Sequence, residues 1–222
     1  MSRTYDCQQR TEREDGVRAA AEAVQRGELV VLPTDTVYGV GADAFTGEAV
    51  SALLAAKARG RDMPVPVLVS SEAMLSGIVS DLGADAEVLT KEFWPGGLTV
   101  IVTHAPSLAW DLGESRGTVA VRMPLHPVAL ELIAETGPLA VSSANVSGSP
   151  PASTVDEAVE QLGESVAVYL DGGPCIDSVP STIVDLTGDV PYVRREGAVT
   201  LDELRAVAPA VQLPEPADDA DD

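Results

Sequence analysis

The chain is short of positive charge. Fourteen Lys and Arg stand against 35 Asp and Glu, a formal net charge of −21 over 222 residues. Tight, general binding of duplex nucleic acid asks for a basic surface that displaces counterions, and this composition argues against it except through a local patch. The acidic residues after Pro214 supply part of the imbalance, yet the body without them still carries about −16. Aromatic residues make up only 4% of the chain, so the core must be built of Val, Leu, Ala and Ile. Cys7 and Cys175 lie far apart with no partner ligands around them, which argues against a zinc site and against a disulfide framework. His104 and His126 have no spaced carboxylate or cysteine partners, and no Ser–His pairing supports covalent hydrolase chemistry. No apolar run approaches the roughly 20 residues that cross a bilayer. The opening segment, with Arg3, Asp6 and Arg10, lacks the apolar stretch of a secretion signal. A cytoplasmic protein is expected.

What is present is an interleaving of helical and strand patterns. Val17, Ala20, Ala21 and Val24 recur at helical spacing before Gly27, and Leu29–Leu32 reads as a buried strand. Helices are expected over 47–58, 72–78, 84–93, 127–134 and 155–162, with Pro127 in a favoured first-turn position. Strands are expected over 65–69, 98–103, 118–121, 139–141, 166–170, 183–186 and 192–194. Thr200-Leu-Asp-Glu203 is a capping-box pattern that opens a last helix. There is no internal repeat and no long linker, so a single α/β domain with a mixed sheet is expected. Its limits are set at 13–208, after a polar arm over 1–12 and before an acidic, disordered tail over 209–222.

The most informative stretch is Val30-Val-Leu-Pro-Thr-Asp-Thr-Val-Tyr-Gly-Val-Gly41, where a strand stops at a proline and hydroxyls pass into a turn with two glycines. Small hydroxyl donors beside glycine suit a backbone that approaches a polar small ligand; a plain capped turn is the alternative. Lys57, Arg59 and Arg61 fall within five residues, and Lys57 is one of only two lysines. They read either as cations favouring a helix C-terminus, worth about 0.3–1 kcal/mol, or as a polyanion site. No glycine-rich P-loop competes for that role, since neither lysine follows a glycine. Arg122 ends an apolar strand between Val and Met, where a buried cation needs a partner such as a carboxylate. Ser142-Ser-Ala-Asn-Val-Ser-Gly148 and Pro180-Ser-Thr-Ile-Val-Asp185 set further hydroxyls beside strands, and Arg195-Glu-Gly197 adds a late cation.

Taken together, these clusters resemble the YrdC family of threonylcarbamoyladenylate synthases, in its short, single-domain form. The matching stretches are Pro33–Gly41, Lys57-Ala-Arg59, Trp94-Pro-Gly-Gly-Leu-Thr99, Val121-Arg-Met-Pro-Leu-His-Pro127, Ser142–Gly148 and Pro180–Asp185. They stand in the family's order and span roughly residues 15–207. Two departures are visible: Gly60 follows Arg59 where the family usually has proline, and Arg195-Glu-Gly replaces Arg-Pro-Gly. The resemblance implies a twisted α/β sheet around a deep concave cavity. It implies formation of threonylcarbamoyl-AMP and pyrophosphate from L-threonine, bicarbonate and ATP, with Mg²⁺ on the nucleotide. The product would pass to a tRNA threonylcarbamoyl-transfer complex for t6A37 modification. By the same resemblance, Thr34, Arg122, Ser143, Ser181 and Thr182 would hold threonine. Lys57, Arg59, Arg61, Thr118, Asn145, Ser153 and Arg195 would surround ATP. Two other readings stand beside this one: an RNA-binding module using the concave face, which the net charge disfavours, and a paralogue of the same fold with another carbamoyl or adenylyl substrate.

Overall fold

A computed structural model describes residues 2–176 and 178–213. The first half of the chain forms β1 (Arg3–Asp6), α1 (Arg10–Gln25), β2 (Val30–Leu32), β3 (Gly39–Asp43), α2 (Gly47–Ala56), β4 (Val67–Leu68), α3 (Glu72–Ile78) and α4 (Ala84–Phe93). Then come β5 (Leu98–Thr103), β6 (Thr118–Arg122), α5 (Pro127–Thr136), β7 (Leu139–Ser143), α6 (Val155–Leu162), β8 (Val168–Asp171), β9 (Thr182–Asp185), β10 (Tyr192–Arg195) and α7 (Leu201–Val207). The described strands form one ten-stranded sheet in the order β1-β8-β2-β3-β7-β4-β6-β5-β9-β10. It is mixed: β1 and β2 run parallel to β8, β4 to β6 and β5 to β9, while the remaining neighbours are antiparallel.

Side chains alternate across a strand, so each strand feeds two layers. On one face Val31, Val40, Ala42, Val67, Val100, Val121, Ala140 and Val184 pack with buried residues of α2, α3, α4, α6 and α7. On the other, Val30, Leu32, Leu68, Leu139, Val141, Val168 and Leu170 pack with α1 and α5. Among the described residues, α1 and α5 are the only helices whose buried side chains join that second layer. They cover the β1 half of the sheet and leave the same face of β6, β5 and β9 without a helix. That uncovered half is where a cavity forms.

Three segments differ from the sequence expectation. Residues 39–43, read as part of a glycine turn, are a central strand hydrogen-bonded to both β2 and β7. The glycines serve close packing: a Cβ on Gly39 would lie 2.6 Å from Val141 Cγ1, and one on Gly41 3.3 Å from Val141 Cγ2. Residues 3–6, read as part of a polar arm, form an edge strand, and α1 begins at Arg10. An edge strand needs only alternate apolar residues, here Tyr5 with Cys7 just beyond it; both are buried. The start of the expected tail also packs: Val211 is fully buried and the Gln212 carbonyl accepts from Val193 N–H at 2.8 Å. The rest of that tail, residues 214–222, lies outside the described residues.

Gly39→Ala should destabilise the fold by about 1–3 kcal/mol through overpacking against Val141. Gly77→Ala, on the exposed side of α3 with nothing within 4 Å of the added methyl, should instead gain about 0.5–1 kcal/mol. Urea midpoints of the two variants should therefore move in opposite directions.

Candidate active site

The cavity over the uncovered half of the sheet has a volume of about 340 Å³. Its floor is the strand face just described: Thr99 and Ile101 of β5, Thr118, Ala120 and Arg122 of β6, Val141 and Ser143 of β7, and Ile183 of β9. The β2–β3 loop adds Thr34, Thr36 and Val37, and the segment after α2 adds Arg59, Pro64, Val65 and Pro66. Ser181 and Arg195 close the far side. The lining carries three arginines and no carboxylate, in a chain with 35 acidic residues. Asp35 lies just behind the lining and pairs with Arg122, so Arg59 and Arg195, which form no ion pair among the described residues, leave a positive recess that favours an anionic occupant.

Arg122 is the deepest of these cations, 7% exposed. Its Nε donates to the Gly96 carbonyl at 2.9 Å, one terminal nitrogen to Thr36 Oγ1 at 2.7 Å, and the other to Asp35 Oδ1 at 2.6 Å. The same Asp35 oxygen accepts from Leu125 N–H at 2.8 Å. Burial lowers the Arg122 pKa and the adjacent Asp35 carboxylate opposes that shift. A guanidinium has five N–H donors, so three bonds leave two for a ligand.

Arg59 donates to Ser142 Oγ at 3.0 Å and to the Pro64 carbonyl at 3.2 Å, while its Nε is buried without a partner. Arg195 holds the Ser181 carbonyl at 2.8 and 3.1 Å and the Ser181 hydroxyl at 3.1 Å. That hydroxyl in turn pairs with Thr99 Oγ1 at 2.8 Å. Burial lowers the pKa of both arginines. Thr34 Oγ1 donates to the Val37 carbonyl at 2.7 Å and accepts from Thr36 N–H at 3.1 Å, so it shapes the loop whose wall it forms.

Of the residues expected at the site, Thr34, Arg59, Thr118, Arg122, Ser143, Ser181 and Arg195 meet on this cavity. The other five do not line it. Thr182 is fully buried, its hydroxyl donating to the Val199 carbonyl and accepting from Val199 N–H. Arg61 faces solvent and pairs with Asp111. Ser153 turns to the start of α6, where its N–H and hydroxyl both reach Glu157 Oε2. Asn145 is buried, its amide nitrogen bonded to the carbonyls of Val146 and Ser149 at 2.9 and 2.8 Å. Lys57 is 2% exposed and reaches Ser143 and Asn145 from behind the wall. Burial, with a smaller contribution from the Arg59 charge, pulls its ammonium from 10.5 down to about 8. Sequence reading left out Asp35, Thr36, Thr99 and Ser142. Thr36 and Asp35 lie in the same Thr-Asp-Thr run as Thr34, and a lone acid beside a cation-rich site is a signal for an ion-pair partner.

An α/β protein with a recessed, hydroxyl-rich and cationic cavity belongs to the class that handles small anionic molecules. The sequence profile of the Sua5/YciO/YrdC family, described as telomere recombination, matches residues 22–197, and the chain belongs to that family. A Mycobacterium tuberculosis protein provisionally named threonylcarbamoyl-AMP synthase is 54% identical over 207 residues, covering 93% of this chain and 95% of that protein. The threonylcarbamoyl-AMP synthase of Pyrococcus abyssi is 35% identical over 198 residues, and there the match takes in 89% of this chain but only 58% of the longer protein. The structure of P. abyssi Sua5 complexed with L-threonine superposes with a TM-score of 0.89 at 34% identity, over 96% of this chain and 62% of that one. Escherichia coli YciO superposes with a TM-score of 0.79 at 25% identity, over 92% of this chain and all of that one.

Asp35→Ala would leave the Arg122 guanidinium buried without its counter-charge. Breaking a buried pair from one side typically costs about 3–5 kcal/mol, and urea unfolding should show a loss of that size. A loss under about 1 kcal/mol would mean that Arg122 relaxes into solvent and is not held as described.

Proposed function

We propose that this chain is an L-threonylcarbamoyladenylate synthase, forming threonylcarbamoyl-AMP and pyrophosphate from L-threonine, bicarbonate and ATP. The observation that carries the reading is the three-arginine, carboxylate-free wall of the cavity. Every reactant except the threonine amine presents negative charge, and so do both products. The names of the relatives and the threonine bound to P. abyssi Sua5 support the same reaction.

Threonine's amine adds to the carbon of carbon dioxide and loses a proton, or adds to bicarbonate with breakage of a C–O bond and loss of water, giving a carbamate. A carbamate oxygen then attacks the α-phosphorus of ATP, and the bond to the β-phosphate bridging oxygen breaks to release pyrophosphate. This chemistry needs reactants held in line and charge neutralised, with no covalent nucleophile from the protein. Arg122 takes the threonine carboxylate on its two remaining N–H donors, with Ser143 and Ser181 on the polar groups beside it. Arg59, through its remaining terminal N–H donors, Arg195 and Thr118 face the nucleotide. Among the described residues no group of three or more His, Cys, Asp or Glu converges as a metal cage. Mg²⁺ would travel on the phosphates of ATP, keeping most of its ligands as waters and phosphate oxygens. With its net charge of −21 the chain is suited to making the small adenylate and passing it to a tRNA-modifying complex, in place of gripping the tRNA itself.

Pyrophosphate release should require ATP, threonine and bicarbonate together. Release without threonine, or equal release with another amino acid, would contradict the substrate assignment. Arg122→Lys keeps the charge but loses the planar fork, and the threonine KM should rise about tenfold or more, the equivalent of about 1.5–3 kcal/mol.

A further inference from the structure

Lys57 and Arg59 are two residues apart at the end of α2, yet they go to different places. Ala58 between them sits in the left-handed region at φ 49°, so the chain turns sharply off the helix there. Arg59 passes to the cavity wall with terminal N–H donors to spare. Lys57 passes behind the wall. Its ammonium has three N–H donors and meets three oxygens: the Ser143 carbonyl, the Asn145 carbonyl at 2.7 Å and Asn145 Oδ1 at 3.4 Å. No donor is left over for a phosphate. No carboxylate of the described residues pairs with it either.

The contact runs in both directions. The Lys57 carbonyl accepts from Ser147 N–H at 2.8 Å, so the end of α2 grips the chain at both ends of the Ser143–Ser147 turn. Asn145 carries the restraint onward, its amide nitrogen holding the Val146 and Ser149 carbonyls. This turn leaves β7 at the point where Ser142 and Ser143 enter the cavity lining. Ser142 Oγ is also the acceptor for Arg59. A cation buried this fully is tolerated because carbonyl oxygens replace its water, and those oxygens would be left unsatisfied without it.

We infer that Lys57 is a positioning residue, which does not touch ATP but pins the 143–149 turn from behind so that the hydroxyls of Ser142 and Ser143 face the substrates. The inference rests on the synthase reading for what those hydroxyls bind; the clamp itself does not. Cation binding to phosphate falls to Arg59, and the two cations of the Lys-Ala-Arg motif divide the work.

Lys57→Met keeps the aliphatic stem and removes the cation; Arg59→Met is the comparison. In Lys57→Met, hydrogen exchange of the 144–149 amides should quicken about tenfold or more. Threonine binding and the threonine KM should weaken about tenfold, while affinity for a non-hydrolysable ATP analogue changes less than about threefold. Arg59→Met should show the reverse: unchanged exchange and about tenfold weaker nucleotide binding. If Lys57→Met weakens nucleotide binding tenfold with exchange unchanged, Lys57 is a phosphate ligand and the inference is wrong. A second measurement needs no variant. Lys57 and Lys91 are the only lysines, so the unmodified chain labelled on lysine nitrogen gives two ammonium signals, with exposed Lys91 as the internal reference. The Lys57 signal should be protected from exchange and should hold its position when the ATP analogue is added; a shift larger than that of the protected signal on threonine addition would overturn the inference. If the unmodified chain binds neither threonine nor nucleotide, the synthase reading fails, and the exchange comparison still decides whether Lys57 holds the turn.

Discussion

A guanidinium held out of water at the end of β6 is the constraint on which the site depends. Arg122 binds Asp35 and Thr36 from the β2–β3 loop and the Gly96 carbonyl from the turn before β5. Asp35 extends the tie to the Leu125 backbone, and Gly96 N–H donates to the Met123 carbonyl at 2.8 Å. Two loops that are distant in sequence therefore close on one side chain, and Asp35 ties them to the segment that follows it. Such a buried ion pair contributes little net stability, because desolvation offsets most of the Coulombic attraction. What it fixes is geometry: the guanidinium reaches the cavity already oriented, so a bound carboxylate meets donors that need no rearrangement.

The cavity itself follows from how the sheet is covered. One face is packed along its length by five helices, and among the described residues only α1 and α5 bring fully buried side chains to the opposite face. Where those two stop, the strands present Thr99, Thr118 and Ala120 among Ile101 and Ile183. The small and hydroxyl-bearing residues on this open face allow close approach of a polar ligand. The rest of the surface is strongly acidic and repels free anions at long range. At physiological ionic strength that field is screened beyond about 8 Å, and the arginines act inside that distance.

Much of this was legible in the sequence. The elements at 72–78, 84–93, 98–103 and 155–162 have the bounds that periodicity and turn residues suggest, and Thr200 and Glu203 form the capping box their spacing announces. The strand at 39–43 was hidden because glycine signals a turn locally, whereas here it clears room for Val141 on a neighbour remote in sequence. The edge strand at 3–6 was hidden by its polarity, which a strand paired on one side can carry. At the site, residue types were readable and their directions were not. Hydroxyls and arginines near strand ends could be picked out, but whether Thr182 faced the cavity or Val199, or Lys57 a ligand or the Ser143 carbonyl, depends on strand register and on the turn at Ala58. One-residue differences in register exchange the two faces of a strand, and no local pattern records them.

The most direct test of the whole account is a crystal structure of this chain with L-threonine and a non-hydrolysable ATP analogue. The account predicts the threonine carboxylate on Arg122 beside Ser143 and Ser181, with the phosphates on Arg59 and Arg195 and the α-phosphorus within reach of the threonine nitrogen's substituent. Threonine bound away from Arg122, or a nucleotide held outside the three-arginine cavity, would contradict it.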